Sequence, residues 1–260
     1  MHYRIHLNIT SFVILALLQF QLTHAQDANN TNVIGDRQGN RWTIPLATLK
    51  EQSMKVPRVY ASLRSAHFQG KPDQTVQIRP GVDHWEIRFK GEPASAEVIL
   101  EFDSYPALHN ESKPIEQLGD GTLTLPSSLG RTHGQKLRFE PQPHKNTIGF
   151  WTKATDSVTW PITVAKPGEF NVGLLQGAGN GGGGTANISI LKNDKSVASI
   201  DYDVHVTGHY QNFVWHHAGT VKIDEPGEYM LKIAAAKITK TALMDVRQVH
   251  LSPAAKSRKK

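Results

Sequence analysis

Cysteine is absent from the 260 residues, so a disulfide framework, a thiolate metal site and a cysteine nucleophile are all excluded. A fold of this chain rests on its hydrophobic core instead, and its length suffices for one or two ordinary domains. Past Phe20 no apolar run approaches the roughly 20 residues that cross a bilayer. No Gly-x-Ser-x-Gly elbow occurs. Helix-turn-helix, zinc-finger and basic-helix patterns are missing, which argues against nucleic acid as a partner. Helical periodicity is nearly absent too: only residues 46–54 could form a short helix. A basic binding face is also lacking, despite a net charge of +6. Arg4, Lys256, Arg258, Lys259 and Lys260 lie at the two ends, and the body between them is close to neutral.

The first 25 residues read as a secretory signal: Arg4 opens a short basic start, residues 9–20 are mostly apolar, and Thr23-His24-Ala25 is a small-x-small cleavage site. A retained membrane anchor is the alternative. The mature chain is expected to be exported, with no membrane span. Residues 26–41 are polar and expected to be loose. Strand patterns follow at 75–78, 84–89 and 97–102, separated by Arg79-Pro80-Gly81 and Lys90-Gly91-Glu92-Pro93. This places a small β-sandwich at 42–115. Residues 103–119 turn polar and proline-containing, as a linker would. A second strand-rich block occupies 120–253, and 254–260 form a basic tail. Such a tail is either simply solvated or a weak tether to an acidic polysaccharide or membrane surface.

Within the second block, Gly177-x-Gly179-x-x-Gly182 has the spacing of a dinucleotide-binding turn. That turn must open a helix, whose N-terminal N–H groups hold the pyrophosphate. Here residues 186–191 alternate at period two and are β-branched, so a strand follows and the nucleotide reading fails. The glycines are expected to form a flexible loop between two strands. Two further stretches, Lys166-Pro167-Gly168-Glu169-Phe170 and Glu225-Pro226-Gly227-Glu228-Tyr229, repeat one device. Proline fixes φ and glycine tolerates φ > 0, which predicts two type II turns. Val158, Trp160, Ile162 and Val164 alternate before the first turn, and Phe170, Val172 and Leu174 after it. Many short strands with regularly spaced turns predict an all-β protein of two sandwiches, the second a jelly roll.

Six stretches occur in order: DGTLTLPSSLGRTHG, NTIGFWTKATDSVTW, KPGEFNVGLLQGAGNGGGG, TGHYQNF, EPGEYMLKI and ALMDVRQVHL. Together they resemble a secreted bacterial domain family often appended to α-L-fucosidases and other glycosidases. More distantly they resemble carbohydrate-binding modules of families 6 and 35, with their galactose-binding-like jelly roll. The earlier stretch VQIRPGVDHWEIRFKGEPASAEVILEFD is similar to the small sandwich that follows the barrel in such fucosidases. The resemblance implies a glycan bound among the loops at one end of the jelly roll. It also implies an accessory protein lacking a catalytic barrel, with a separate glycosidase as a possible partner.

Carried over by position, the Thr-Gly-x-aromatic-Gln stretch supplies Tyr210, whose ring would stack on a pyranose while amides and carboxylates bind its hydroxyls. Alternation puts Phe213 and Trp215 on an inward face and Tyr210 on the outward one. Trp151 and Asp156 fall near the same rim. Ser157 stands where another aromatic is expected, and Asp245 where the modules have asparagine. Asp245 either binds a hydroxyl or is a structural carboxylate hydrogen-bonded to a backbone loop. The ligand-binding set is therefore Tyr210, Trp151, Asp156 and Asp245.

Other candidates have plainer explanations. Glu97, Glu101 and Asp103 share one strand face at a spacing open to a glycosidase pair, yet a solvated strand face looks the same. His205, His209, His216 and His217 are scattered over two strands and a turn, unlike a zinc site. Asp201 and Asp203 could join a structural calcium, but six to eight oxygens are needed and the others are not identifiable. No cofactor is implied. The reading is a non-catalytic glycan-binding or glycosidase-accessory protein, with a protein-docking module second and a glycoside hydrolase a remote third.

Overall fold

The computed structural model describes residues 35–46 and 52–255. The expected signal peptide, most of the polar segment and residues 256–260 of the tail lie outside them. Strand after strand fills the described chain, and the one helical turn among those residues is a 3-10 turn at Ser127–Leu129. Among the described residues no helix is long and apolar enough to cross a membrane.

Eight strands come first: β1 Asp36–Gln38, β2 Arg41–Pro45, β3 Ser53–Pro57, β4 Leu63–Phe68, β5 Lys71–Thr75, β6 Gln77–Pro80, β7 His84–Arg88 and β8 Glu97–Phe102. They form a five-stranded sheet ordered β1-β2-β8-β4-β5 and a three-stranded sheet ordered β3-β7-β6. Alternation aims Trp42, Ile44, Trp85, Ile87, Leu100 and Phe102 inward, and all six are fully buried. The Trp85 and Phe102 rings stack across the two sheets with centroids 6.2 Å apart. Two expectations change here. Asp36–Gln38 pairs with β2 rather than staying loose, and Ser53 and Met54 belong to a strand, not a helix.

Twelve strands follow: β9 Ile115–Glu116, β10 Leu123–Pro126, β11 Arg131–His133, β12 Arg138–Glu140, β13 Thr147–Gly149, β14 Ser157–Val164, β15 Gly168–Gly177, β16 Gly184–Lys192, β17 Lys195–Asp203, β18 Val214–Ile223, β19 Gly227–Ile238 and β20 Asp245–Pro253. One sheet runs β12-β13-β20-β15-β18 with β10 added to β20; the other runs β11-β14-β19-β16-β17 with β9 added to β14. Val158, Trp160, Ile162, Val172, Leu174, Ile188, Leu231, Ile233, Val249 and Leu251 fill the space between, each fully buried.

The paired Pro-Gly stretches serve as arches between sheets and not as hairpins. β14 and β15 lie in opposite sheets, as do β18 and β19, so each arch crosses the sandwich. Gly168 and Gly227 take φ of +156° and +143°, far from the roughly +80° of a type II turn. Their shared task explains their shared sequence.

Residues 103–119 are fastened to both sandwiches instead of hanging free. Tyr60 bridges Ala107, Arg37 makes a bidentate pair with Glu111 at 2.6 and 2.9 Å, and β9 joins β14 in parallel. Arg58 closes the seam. Its buried guanidinium lies between the rings of Tyr60 and Phe139, at 4.7 and 5.0 Å. It donates to the carbonyls of Ser128 and Gly130 and to the Thr132 hydroxyl. With no carboxylate among the described residues paired to it, burial lowers its pKa to about 10. The described residues, 35–46 and 52–255, group as one compact unit.

Candidate functional site

At one end of the second sandwich, β13 and β15 stop and β20 begins. Gly177 on β15 pairs with Asp245 on β20, and Ile148 on β13 pairs with Val246. A cavity of about 310 Å³ opens there, within the range of small-ligand sites, with Tyr210, Asp245, Glu140, Lys145, Phe150 and Thr152 in its wall.

Tyr210 reaches this cavity through its tight loop. Ala178 N–H donates to the Thr207 hydroxyl at 3.0 Å, and Thr207 N–H returns a bond to the Ala178 carbonyl at 2.8 Å. Gly208 turns the chain at φ +90°, and His209 Nδ1 accepts from Gln211 N–H at 3.0 Å. The half-buried Tyr210 ring then lies on the glycine run. A Cβ at Gly179 would stand 3.0 Å from a ring carbon, and one at Gly177 would overlap the Tyr210 carbonyl oxygen. The run is thus packed, not flexible. Gly183 N–H is bonded to the carbonyls of Ala242 and Leu243, and Gly181 accepts from Thr241 and Ala242. Its glycines are needed for close approach of backbone to ring, and several of its N–H groups are already used within the fold.

Asp245 is only 5% exposed. Among the described residues its carboxyl has no hydrogen-bond partner, and it faces the cavity. Gly149 makes room for it, since a Cβ there would come within 2.8 Å of Oδ1. Burial, with repulsion from Glu140, pushes its pKa up to about 8. Glu140 differs: Lys145 Nζ lies 3.1 Å from one of its oxygens and Arg138 3.6 Å from the other. Burial and the Asp245 charge also raise the Tyr210 phenol.

Two of the four expected site residues do not reach the surface. Trp151 is fully buried and donates its indole N–H to the Asp156 carbonyl at 3.2 Å. Asp156 is fully buried as well, accepting from the N–H groups of Gln135, Lys136 and Leu137, each at 2.8 Å. It is the carboxylate tied to a backbone loop, the alternative considered for Asp245. The exposed aromatic is the neighbour, Phe150, 46% exposed at φ +62° beneath the Arg138 guanidinium at 3.9 Å. A non-glycine residue at positive φ is uncommon and tends to mark a constrained site. Phe150 puts a second ring beside Tyr210 in the cavity wall, and no sequence pattern marked it.

Arg247 was missed too. It donates to the carbonyls of His144 and Lys145 and covers the Phe213 ring at 3.9 Å. It thereby ties the hairpin bearing Lys145 to the loop bearing Tyr210. Trp215 is not inward: it is 49% exposed, lying over Gly173 and edge-on to His250 at 6.4 Å.

The other candidate groups are engaged locally. Glu101 accepts from Ser65 and Arg41, which hold its carboxyl below the usual range; a glycosidase acid would need the opposite shift. Asp103 accepts from Ser62 N–H. Asp201 and Asp203 pair with Asn187 and Thr185 across β16 and β17. His205 and His216 stack in parallel at 4.4 Å. Among the described residues no group of three or more His, Cys, Asp or Glu is placed to hold a metal. Two larger cavities, about 610 and 530 Å³, lie along the first sandwich. Their charged groups, Arg64, Arg88, Lys90 and Glu92, are all exposed, whereas the smaller rim cavity holds two nearly buried acids.

No family model matches the chain, and no curated protein matches it in sequence. Solved structures do match. An α-L-fucosidase from Vibrio sp. strain EJY3 aligns with 82% of this chain at 10% identity and a TM-score of 0.35; the chain spans 38% of that protein. The C-terminal family 6 carbohydrate-binding module of a marine laminarinase from Zobellia galactanivorans aligns with 50% of this chain and 98% of its own. There the identity is 15% and the TM-score 0.41. A family 35 carbohydrate-binding module from Clostridium thermocellum covers 51% and 98%, at 10% identity and TM-score 0.42. At such scores the likeness assigns neither ligand nor reaction.

Proposed function

We propose that this is an exported, non-catalytic glycan-binding protein that receives a sugar at the rim cavity, acting alone or beside a separate glycosidase. One observation carries the reading: Asp245 is a nearly buried carboxyl with no partner among the described residues, facing a cavity walled by two aromatic rings. Its carboxyl borders the cavity with no bond to the rest of the described fold, and a sugar hydroxyl entering there can pair with it. Tyr210 and Phe150 offer faces for a pyranose ring. Thr152 and Gln211 add hydroxyl-binding groups.

A protein-docking role is the second reading, favoured by Trp215, a large aromatic exposed on the edge strand β18. The test is binding of the full-length chain to neutral and sulfated polysaccharides at two salt concentrations, beside Tyr210→Ala. Loss of about tenfold or more in affinity in the variant, insensitive to salt, supports the rim site. Binding that survives the variant but falls with salt places the ligand on the basic tail. Absence of binding to every glycan favours docking.

A further inference from the structure

We infer that the rim cavity ranks saccharides by charge, binding one with a free amine most tightly and a uronate or sulfate ester least. This rests on reading the cavity as a glycan site, and it follows from how the charges around it are already matched.

Glu140 and Asp245 both stand in the cavity wall, at 8% and 5% exposure. The nearby cations belong to Glu140: Lys145 Nζ lies 3.1 Å from Oε2 and the Arg138 guanidinium 3.6 Å from Oε1. Arg138 also lies over Phe150, on the ring's own face. Arg247 is directed elsewhere, bonded to the carbonyls of His144 and Lys145 and stacked on Phe213. Asp245 therefore has neither a hydrogen bond nor an ion pair of its own among the described residues; Lys145, across the same cavity and paired to Glu140, opposes only part of the upward shift of its pKa.

A ligand ammonium supplies both at once. It can donate to Asp245 while lying against the Tyr210 face, since carboxylates and aromatic faces both attract an alkylammonium. A neutral sugar brings donors but no charge. A uronate or sulfate brings an anion beside Glu140 and opposes ionisation of Asp245, in a site where charges are weakly screened. The empty site holds its proton on Asp245 through neutral pH, as burial and Glu140 dictate. An entering ammonium displaces that proton, so uptake of an amino sugar releases protons and uptake of a neutral sugar does not.

The test compares oligosaccharides of equal length: de-N-acetylated chitosan oligomers, their N-acetylated counterparts and oligoglucuronates. Calorimetry on the full-length chain at pH 6 uses two buffers of different ionisation enthalpy. The amine-bearing oligomer should bind at least about tenfold tighter than the acetylated one, with proton release, and the glucuronate weakest. Asp245→Asn, nearly isosteric, should abolish both the preference and the proton release, so that the amine-bearing and acetylated oligomers bind alike. Glu140→Gln should narrow the preference and leave its order unchanged. Equal affinities, or tightest binding of the glucuronate, overturn the charge ranking. If the acetylated oligomer still binds through Tyr210 in that case, the glycan site itself stands. No binding of any of the three overturns both.

Discussion

Asp156 and Asp245 are comparably buried, at 0% and 5% exposure, and each fits only because a glycine stands beside it, Gly134 for the first and Gly149 for the second. Their oxygens meet different surroundings. Asp156 fills its lone pairs with three successive backbone N–H groups of residues 135–137, so its charge is solvated by the fold. Asp245 faces a cavity with an acid for a neighbour. The difference separates two uses of a buried carboxyl. One has its hydrogen bonds completed by a loop and holds that loop; the other makes none within the described fold and faces a cavity.

Asp156→Ala should be the most disruptive change. It leaves three N–H groups without an acceptor in a buried loop, at a cost of about 3–5 kcal/mol. Urea denaturation measures this, and a loss under about 1 kcal/mol would mean that water serves residues 135–137 as well as the carboxylate does. Asp245→Asn should act in the opposite sense. The folded pKa, about 8, lies above the ordinary 3.8, so between those values the folded chain keeps a proton that the unfolded chain has lost. Stability therefore falls as pH rises through this window, by up to about 1.4 kcal/mol per unit. The asparagine variant should lose that slope and gain stability relative to the parent as pH rises from about 4 to 8. Parallel pH–stability curves for the two proteins would erase the contrast with Asp156.

The strands were legible because one face of each had to be apolar. Val158, Trp160, Ile162 and Val164 alternate in sequence and are buried as the pattern requires. The site was less legible, because its residues sit where alternation stops. Positive φ at Phe150 turns its ring outward and sends Trp151 into the core, an exchange that no period-two rule contains. Trp215 lies outward over Gly173, where the missing side chain leaves space against the sheet, although its size alone suggests the interior. The two aspartates are alike in sequence, and only their distant neighbours, residues 135–137 for one and Glu140 for the other, tell them apart. The rim position of Tyr210 was legible because its loop has a local signature in Thr207, Gly208 and Gln211. The glycine run was recognised as a loop, but its packing against a ring thirty residues away is tertiary information.

That packing gives the mildest way to sharpen the contrast. Gly179→Ala places a methyl group 3.0 and 3.1 Å from two Tyr210 ring carbons, tighter than ordinary van der Waals contact, so ring or strap must shift by a few tenths of an ångström. The Asp156 loop is untouched, and the stability loss should be about 1 kcal/mol. Tyr210 is part of the cavity that Asp245 faces, and a displaced ring alters the surface offered to a sugar. Glycan affinity should fall about fivefold. If stability drops by several kcal/mol instead, the glycine strap belongs with Asp156 as part of the scaffold. If affinity is unchanged, the Tyr210 ring is not a surface on which the ligand rests.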